Sequence, residues 1–193
     1  MFDIPIVDEL DSLIKEAVKY AERTGIKKIV IFSQNGDSGL KLKKYVDEIN
    51  SEAKVITIMF PANEPVFVEN EEGNVDEIIP NNTSTEINKK MRASGIEVIF
   101  GTLPLDNVVV PGTPNAINLT IKNTLSMFTP GLQLAVQAIL IATDHDSLSF
   151  GDPVISIVGD VAISARAANS RMLFHSKYGL KIEDIIAKKQ QIQ

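Results

Sequence analysis

The sequence predicts an α/β fold in three layers, α/β/α, with a mostly parallel sheet. Three observations carry this expectation. Helical and strand-like periodicities alternate almost from the first residue. Two short β-branched runs, Lys28–Phe32 and Lys54–Phe60, flank an amphipathic segment in the manner of a β-α-β unit. The longest apolar segment, Leu132–Ala142, is too short to be anything but a buried helix of such a domain. With 193 residues and no internal repeat, low-complexity tract or linker, one domain spanning 1–193 is expected.

Each element can be justified in turn. Asp8 can cap a helix running to about Thr24, with Leu10, Leu13, Ile14, Ala17 and Ala21 on one face and Gly25 as its stop. The strand 28–32 follows, then a polar turn, Ser33-Gln34-Asn35-Gly36-Asp37-Ser38-Gly39, and a helix from about Ser38 to Asn50. After the strand 54–60, residues 61–82 read as a long irregular loop, with two prolines and the acidic run Glu69-Asn70-Glu71-Glu72. Thr83-Ser84-Thr85-Glu86 forms a capping box for a helix that Gly95 ends. Ile96–Phe100 is the next strand. Thr113-Pro114 and Thr129-Pro130 each read as a Thr cap followed by Pro at the first helical position. Pro153–Gly159 is expected as a fourth strand and Asn169–Phe174 as a fifth. Ile182–Lys188 closes the chain as a helical turn or edge strand.

Composition excludes several function classes. Nineteen Lys and Arg against 25 Asp and Glu leave a net charge of −6, contrary to the clustered positive charge that nucleic acid or an anionic membrane surface demands. The absence of Cys removes disulfides, thiolate nucleophiles, Cys-ligated zinc and iron–sulfur clusters. The acidic N-terminus has no basic n-region of a signal peptide, and no stretch is long enough to span a bilayer, so a cytoplasmic protein is expected.

The sharpest local feature is the turn Ser33–Gly39. It lies at the carboxyl end of the first of these strands and opens a helix, the place where open α/β sheets bind ligands. Its amides would form an anion site, Gly36 and Gly39 would permit close approach, and Ser33 and Ser38 would offer hydroxyls. A plain capped β-α turn is the other reading of the same residues, with Asp37 as the cap. It is neither a Walker motif nor a dinucleotide fingerprint. Asp144-His145-Asp146 offers groups for a divalent metal or for acid–base work, against the alternative of a solvated loop. With only His145 and His175 in the chain, no metal site is assigned. Arg166 and Arg171 are candidate cations for an anionic ligand, or else ordinary surface charges. No Gly-x-Ser-x-Gly elbow supports a nucleophilic triad.

Four blocks in order carry a resemblance over nearly the whole chain: Thr24–Ser33 running into Asn35–Lys41, Gly131–Asp144, Pro153–Gly159 and Ile182–Lys188. Together they resemble small, mostly archaeal proteins similar to the C-terminal α/β domain of pyruvate kinase, standing alone without the catalytic barrel. The resemblance implies no pyruvate kinase activity, since that chemistry resides in the barrel. It implies bound FMN, with the phosphate at Ser33, Gln34, Asn35, Gly36, Asp37, Ser38 and Gly39. The isoalloxazine would lie near Gly101, Thr102, Ala142, Thr143, Asp144, Gly159 and Asp160, with Arg166 on the altered loop that follows. There the chain reads Gly159–Ala168 where the relatives carry a glycine-rich run and an Asp-Thr pair. The expected role is therefore binding of FMN or a related small phosphorylated ligand, with a possible flavin-dependent redox reaction. A non-catalytic sensor of a phosphorylated metabolite without flavin, or a ligand-free scaffold, are the alternatives. The apolar 132–142 helix adds the expectation of a homo-oligomer, a dimer or higher.

Overall fold

The computed structural model describes residues 4–61, 64–69, 74–78, 85–106 and 115–190. Nine strands and five α-helices follow one another: β1 (Ile6–Val7), α1 (Leu10–Thr24), β2 (Lys28–Phe32), α2 (Asp37–Glu48), β3 (Lys54–Met59), β4 (Val66–Glu69), β5 (Val75–Ile78), α3 (Thr85–Ala93), β6 (Glu97–Phe100), α4 (Ala116–Ser126), α5 (Leu132–Asp144), β7 (Pro153–Ile157), β8 (Val161–Arg166) and β9 (Lys181–Lys189). Seven strands form one sheet in the order β1-β9-β8-β7-β2-β3-β6. Only β8 runs antiparallel to its neighbours; every other pairing in that sheet is parallel. The α/β expectation is met.

Alternation along the central strands divides the core in two. Ile29, Ile31, Val55, Met59, Ile155 and Ile157 face α1, α2 and α3, whereas Val30, Ile56, Ile58, Val154 and Val158 face α5. Runs apolar at every position, Ile29–Phe32 above all, are what a strand needs when both faces are covered. Helix α5 is buried from Leu132 almost continuously to Thr143, as its composition demands. Its fully buried Gln137 is satisfied: Oε1 accepts the Leu105 amide at 2.8 Å, and Nε2 donates to Gln133 at 2.6 Å.

Helix stops follow the sequence expectation. Gly25 (φ +74°) ends α1 in the left-handed region and donates its amide to Ala21 O at 2.8 Å, and Gly95 (φ +75°) follows α3 in the same conformation. Starts and the C-terminal third differ more. Glu9 rather than Asp8 occupies the cap position of α1, and Gly36 that of α2. Asn115 caps α4, its side chain accepting from the amides of Ile117 and Asn118; Thr113 and Pro114 lie outside the described residues, as do Thr83 and Ser84 of the expected capping box. Within 61–82, read as irregular, the antiparallel pair β4–β5 forms; the rest of that span that is not described includes 70–73 and 79–82.

The strand expected at Asn169–Phe174 does not form: Ser170–Met172 makes a 3₁₀ turn there, and the strand that follows β7 is β8, Val161–Arg166. Small residues, Ala162, Ser164 and Ala165, weaken the apolar signature of β8, and the tight Gly159-Asp160 turn puts it directly beside β7. The last segment is a nine-residue strand lying inside the sheet, with the two-residue β1 taking the edge. At the amino edge Lys28 pairs with Asp152 (2.7 Å) and Lys54 with Glu97 (2.6 Å), and the Ser147 hydroxyl donates to Glu97. Among the described residues no helix is long and apolar enough to cross a membrane.

Candidate functional site at the carboxyl edge of the sheet

The turn after β2 is held by its own side chains. Ser33 extends the ladder, its amide donating to Ile58 O at 2.8 Å, and its buried Oγ accepts the Gly36 amide at 2.9 Å. Asn35 folds onto Asp37: its Oδ1 accepts the Asp37 amide at 3.2 Å and its Nδ2 donates to the carboxylate at 2.7 Å. Gln34, Asn35 and Asp37 are exposed.

The two glycines serve chain packing rather than ligand approach. Gly36 sits at φ +92°, and a Cβ there would lie 2.6 Å from Ile87 and 2.9 Å from Met91 of α3. At Gly39 a Cβ would lie 2.3 Å from Thr57 Oγ1, so the missing side chain lets α2 settle on β3.

This arrangement leaves the start of α2 open. No side chain caps it, and the amides of Ser38 and Gly39 meet no acceptor among the described residues. Directly beneath Gly39, the fully buried hydroxyl of Thr57 has no hydrogen-bond partner among the described residues. Asp37 adds negative charge to the first turn, which suits the helix but opposes an incoming anion. Lys41, one turn on, is committed to Asp11 at 2.9 Å. The turn therefore offers amides and the Ser38 hydroxyl.

A second helix starts at the same edge and is tied down from a distance, with Gly131 at its cap position. Asp160 Oδ2, across the β7–β8 turn, accepts the Thr129 hydroxyl at 2.7 Å and the Gly131 amide at 2.9 Å, and Thr129 O takes the Leu132 amide, while no side chain accepts from the amides beyond the cap. The cap position expected at Thr129 thus falls on Gly131, and Thr129 is one of the donors to Asp160. Neither Thr57 nor Thr129 was singled out as a site residue, because a polar residue inside an apolar run carries no signal of what lies across from it.

The remaining expected positions separate. Gly101 and Thr102 follow β6 at the carboxyl edge, where Gly101 is packed so that a Cβ would meet Ile141 at 2.4 Å. Exposed Gly159 and half-buried Asp160 form the turn between β7 and β8 at the same edge. Ala142, Thr143 and Asp144 end α5 at the opposite, amino edge, and Asp144 accepts from the Ser170 amide and the Asn169 side chain, both at 3.1 Å. Arg166 also lies there: its register partner is Pro153, the first residue of β7, and its Nε donates to Glu183 at 2.8 Å. Arg171 stands on the 3₁₀ turn near α4. His145 bonds Ile141 O through Nδ1 at 3.0 Å, and His175 Nδ1 accepts the Lys177 and Tyr178 amides. No group of three or more metal-ligating side chains occurs among the described residues.

No family model matches the sequence. Solved structures similar to it include chains of pyruvate kinase from Cryptosporidium parvum. One matches at 12% identity and a TM-score of 0.38 over 91% of this chain and 22% of that one. Another, solved in complex with ADP, matches at 13% identity and a TM-score of 0.39 over 93% and 23%. A third gives 13% and 0.38 over 79% and 21%. The chain spans between a fifth and a quarter of the length of these enzymes.

Proposed function

We propose that this protein binds a small phosphorylated ligand at the β2–α2 turn, as a binding module rather than through groups that perform chemistry. The observation that carries this reading is the start of α2, where the Ser38 and Gly39 amides have no acceptor among the described residues. Two adjacent, unsatisfied N–H groups at a helix N-terminus suit the oxygens of a phosphate. With Lys41 committed to Asp11 and Asp37 adding negative charge to the first turn, hydrogen bonds and the helix dipole would carry the binding.

FMN is one such ligand, and the sequence resemblance is what suggests it. The two unanswered amides support placing its phosphate at this turn. Its ring system does not fit the positions expected for it: Ala142–Asp144 and Arg166 lie at the other edge, Asp160 is committed to α5, and Gly101 is filled from behind by Ile141. No redox step is therefore derived for this chain.

Calorimetric titration with FMN, riboflavin and inorganic phosphate tests the reading. FMN binding at least tenfold tighter than riboflavin, with Ser38→Asp removing that advantage, is the expected result. Equal affinity for FMN and riboflavin, or an unaffected Ser38→Asp variant, would overturn it. Gly36 is unsuitable for this substitution, because any side chain there meets Ile87 and Met91 before it meets a ligand.

A further inference from the structure

Clefts of similar size on this molecule differ in what lines them. The recess where α1 meets β9 carries Glu16, Lys19, Arg23 and Asp184, and the one between α1 and α2 carries Asp11, Lys41 and Glu48. In both, opposite charges already meet, as in Lys19–Glu16 at 2.7 Å and Lys41–Asp11 at 2.9 Å. Two adjoining recesses beside α4 are different. One, of about 380 Å³, is walled by Ile121, Leu125, Val136, Leu180 and Ile182. The other, of about 420 Å³, holds Leu105 and Met172 together with Arg171 and His175. They share Ile121, Leu173 and Phe174 as a common wall. Among the described residues no acidic side chain lines either, although the chain carries 25 Asp and Glu.

We infer that these two recesses together bind a small amphipathic anion, an unbranched alkyl chain ending in a carboxylate, with the chain along α4 and the carboxylate at Arg171. The first recess suits the chain. Thr120 and Thr124 on its rim already donate their hydroxyls to Ala116 O at 2.7 Å and Thr120 O at 2.8 Å, so they demand no polar partner from an occupant. From Leu125 to Asn118 the helix advances roughly 10 Å at about 1.5 Å per residue, room for about eight extended carbons at C–C bonds of ~1.5 Å. The second recess suits the head. Arg171 has no ion-pair partner among the described residues, and its planar fork matches the two oxygens of a carboxylate. His175 accepts the Lys177 and Tyr178 amides on Nδ1 at 3.2 and 3.1 Å, which puts the proton of the neutral ring on Nε2 as a further donor. One guanidinium beside an apolar recess without acids matches a single negative charge on a greasy body, the pattern of few placed polar groups in an apolar pocket that small-molecule sites show. The site stands apart from the β2–α2 turn and does not depend on what binds there.

Calorimetric titration of the full chain with butanoate, hexanoate, octanoate and 1-octanol tests the inference. Affinity is expected to rise about fourfold per added methylene up to octanoate. 1-Octanol is expected to bind roughly tenfold more weakly than octanoate, for want of the charge-assisted bond. Arg171→Gln should erase the preference for octanoate over 1-octanol and keep the chain-length series. Phe174→Ser, at a side chain 74% exposed, should reduce the gain per methylene without changing the circular dichroism. Octanoate bound no tighter than butanoate, or a preference over 1-octanol that survives Arg171→Gln, would overturn it.

Discussion

Helices α2 and α5 begin at the same edge of the sheet, each with glycine at its cap position and neither with a side chain on the amides just beyond it, yet the two starts are held by different means. At α5 the carboxylate of Asp160, reaching from the β7–β8 turn, takes the Gly131 amide and the Thr129 hydroxyl, and Thr129 O takes the Leu132 amide. At α2 the holding groups are local, Ser33 on the Gly36 amide and Asn35 on the Asp37 amide, and the Ser38 and Gly39 amides go unanswered among the described residues. The difference separates a helix start tied to a distant strand turn from one built within its own loop and more open to a ligand. Unsatisfied amides cost stability, and among the described residues α2 carries two in its first turn where α5 carries one, that of Gln133.

The comparison can be broken most severely at Gly131. A Cβ there would lie 1.7 Å from Asp160 Oδ1, so Gly131→Ala should expel the cap and cost about 3 kcal/mol, a melting-temperature drop of roughly 6–12 °C. Asp160→Ala, which removes the acceptor without a clash, should cost about 1–2 kcal/mol in chemical denaturation, with Asp160→Asn recovering part of it. An unchanged denaturation midpoint for Asp160→Ala would make the two helix ends equivalent.

At the open end the signs reverse. Thr57→Val deletes a buried hydroxyl with no partner among the described residues, and should raise stability by about 1 kcal/mol in the ligand-free protein. Ser38→Asp should add a few tenths of a kcal/mol by placing negative charge at the helix start, while abolishing phosphate binding. A variant that gains stability and loses the ligand would be the clearest mark of an unfilled helix end.

The smallest effect belongs to the amino edge. The hydrogen bond from Lys28 holds the Asp152 carboxyl below its usual value, reinforced by the Ser149 amide against a burial cost. Burial alone would raise Glu97, but hydrogen bonds from Lys54 and Ser147 outweigh it and lower its pKa. Both groups hold protons less tightly folded than unfolded, so their contribution is present above the unfolded carboxylate range near pH 4. It is lost as the pH falls through the folded values. Each half-exposed pair should account for only a few tenths of a kcal/mol, read as a shallower acid slope of the urea midpoint in Lys28→Met.

Much of the fold was legible because it depends on local patterns. The runs at 28–32 and 54–59 are apolar on both faces, and Gly25 and Gly95 sit where the chain must turn left-handed. The C-terminal third was harder to read. Val161–Arg166 carries three small residues and Lys181–Lys189 five charged ones, so neither resembles a buried strand until its neighbours supply the pairing. The turn Ser33–Gly39 was recognisable as a strand-to-helix junction, whereas the roles of its glycines were not, since they answer to Ile87, Met91 and Thr57, far away in sequence.

The sequence by itself therefore determined the α/β class, the central parallel strands, the buried helix α5 and the place where the first β-α junction meets solvent. These follow from periodicity, β-branching and glycine, which act within a few residues. Tertiary structure alone decided that Asp160 holds the cap residue of α5 while Ser33 holds that of α2. It also decided that Ala142–Asp144 and Arg166 stand at the edge opposite Ser33–Gly39, and that no residue of α4 is buried. Each of these depends on which distant group a side chain meets after folding, and no spacing along the chain encodes that meeting.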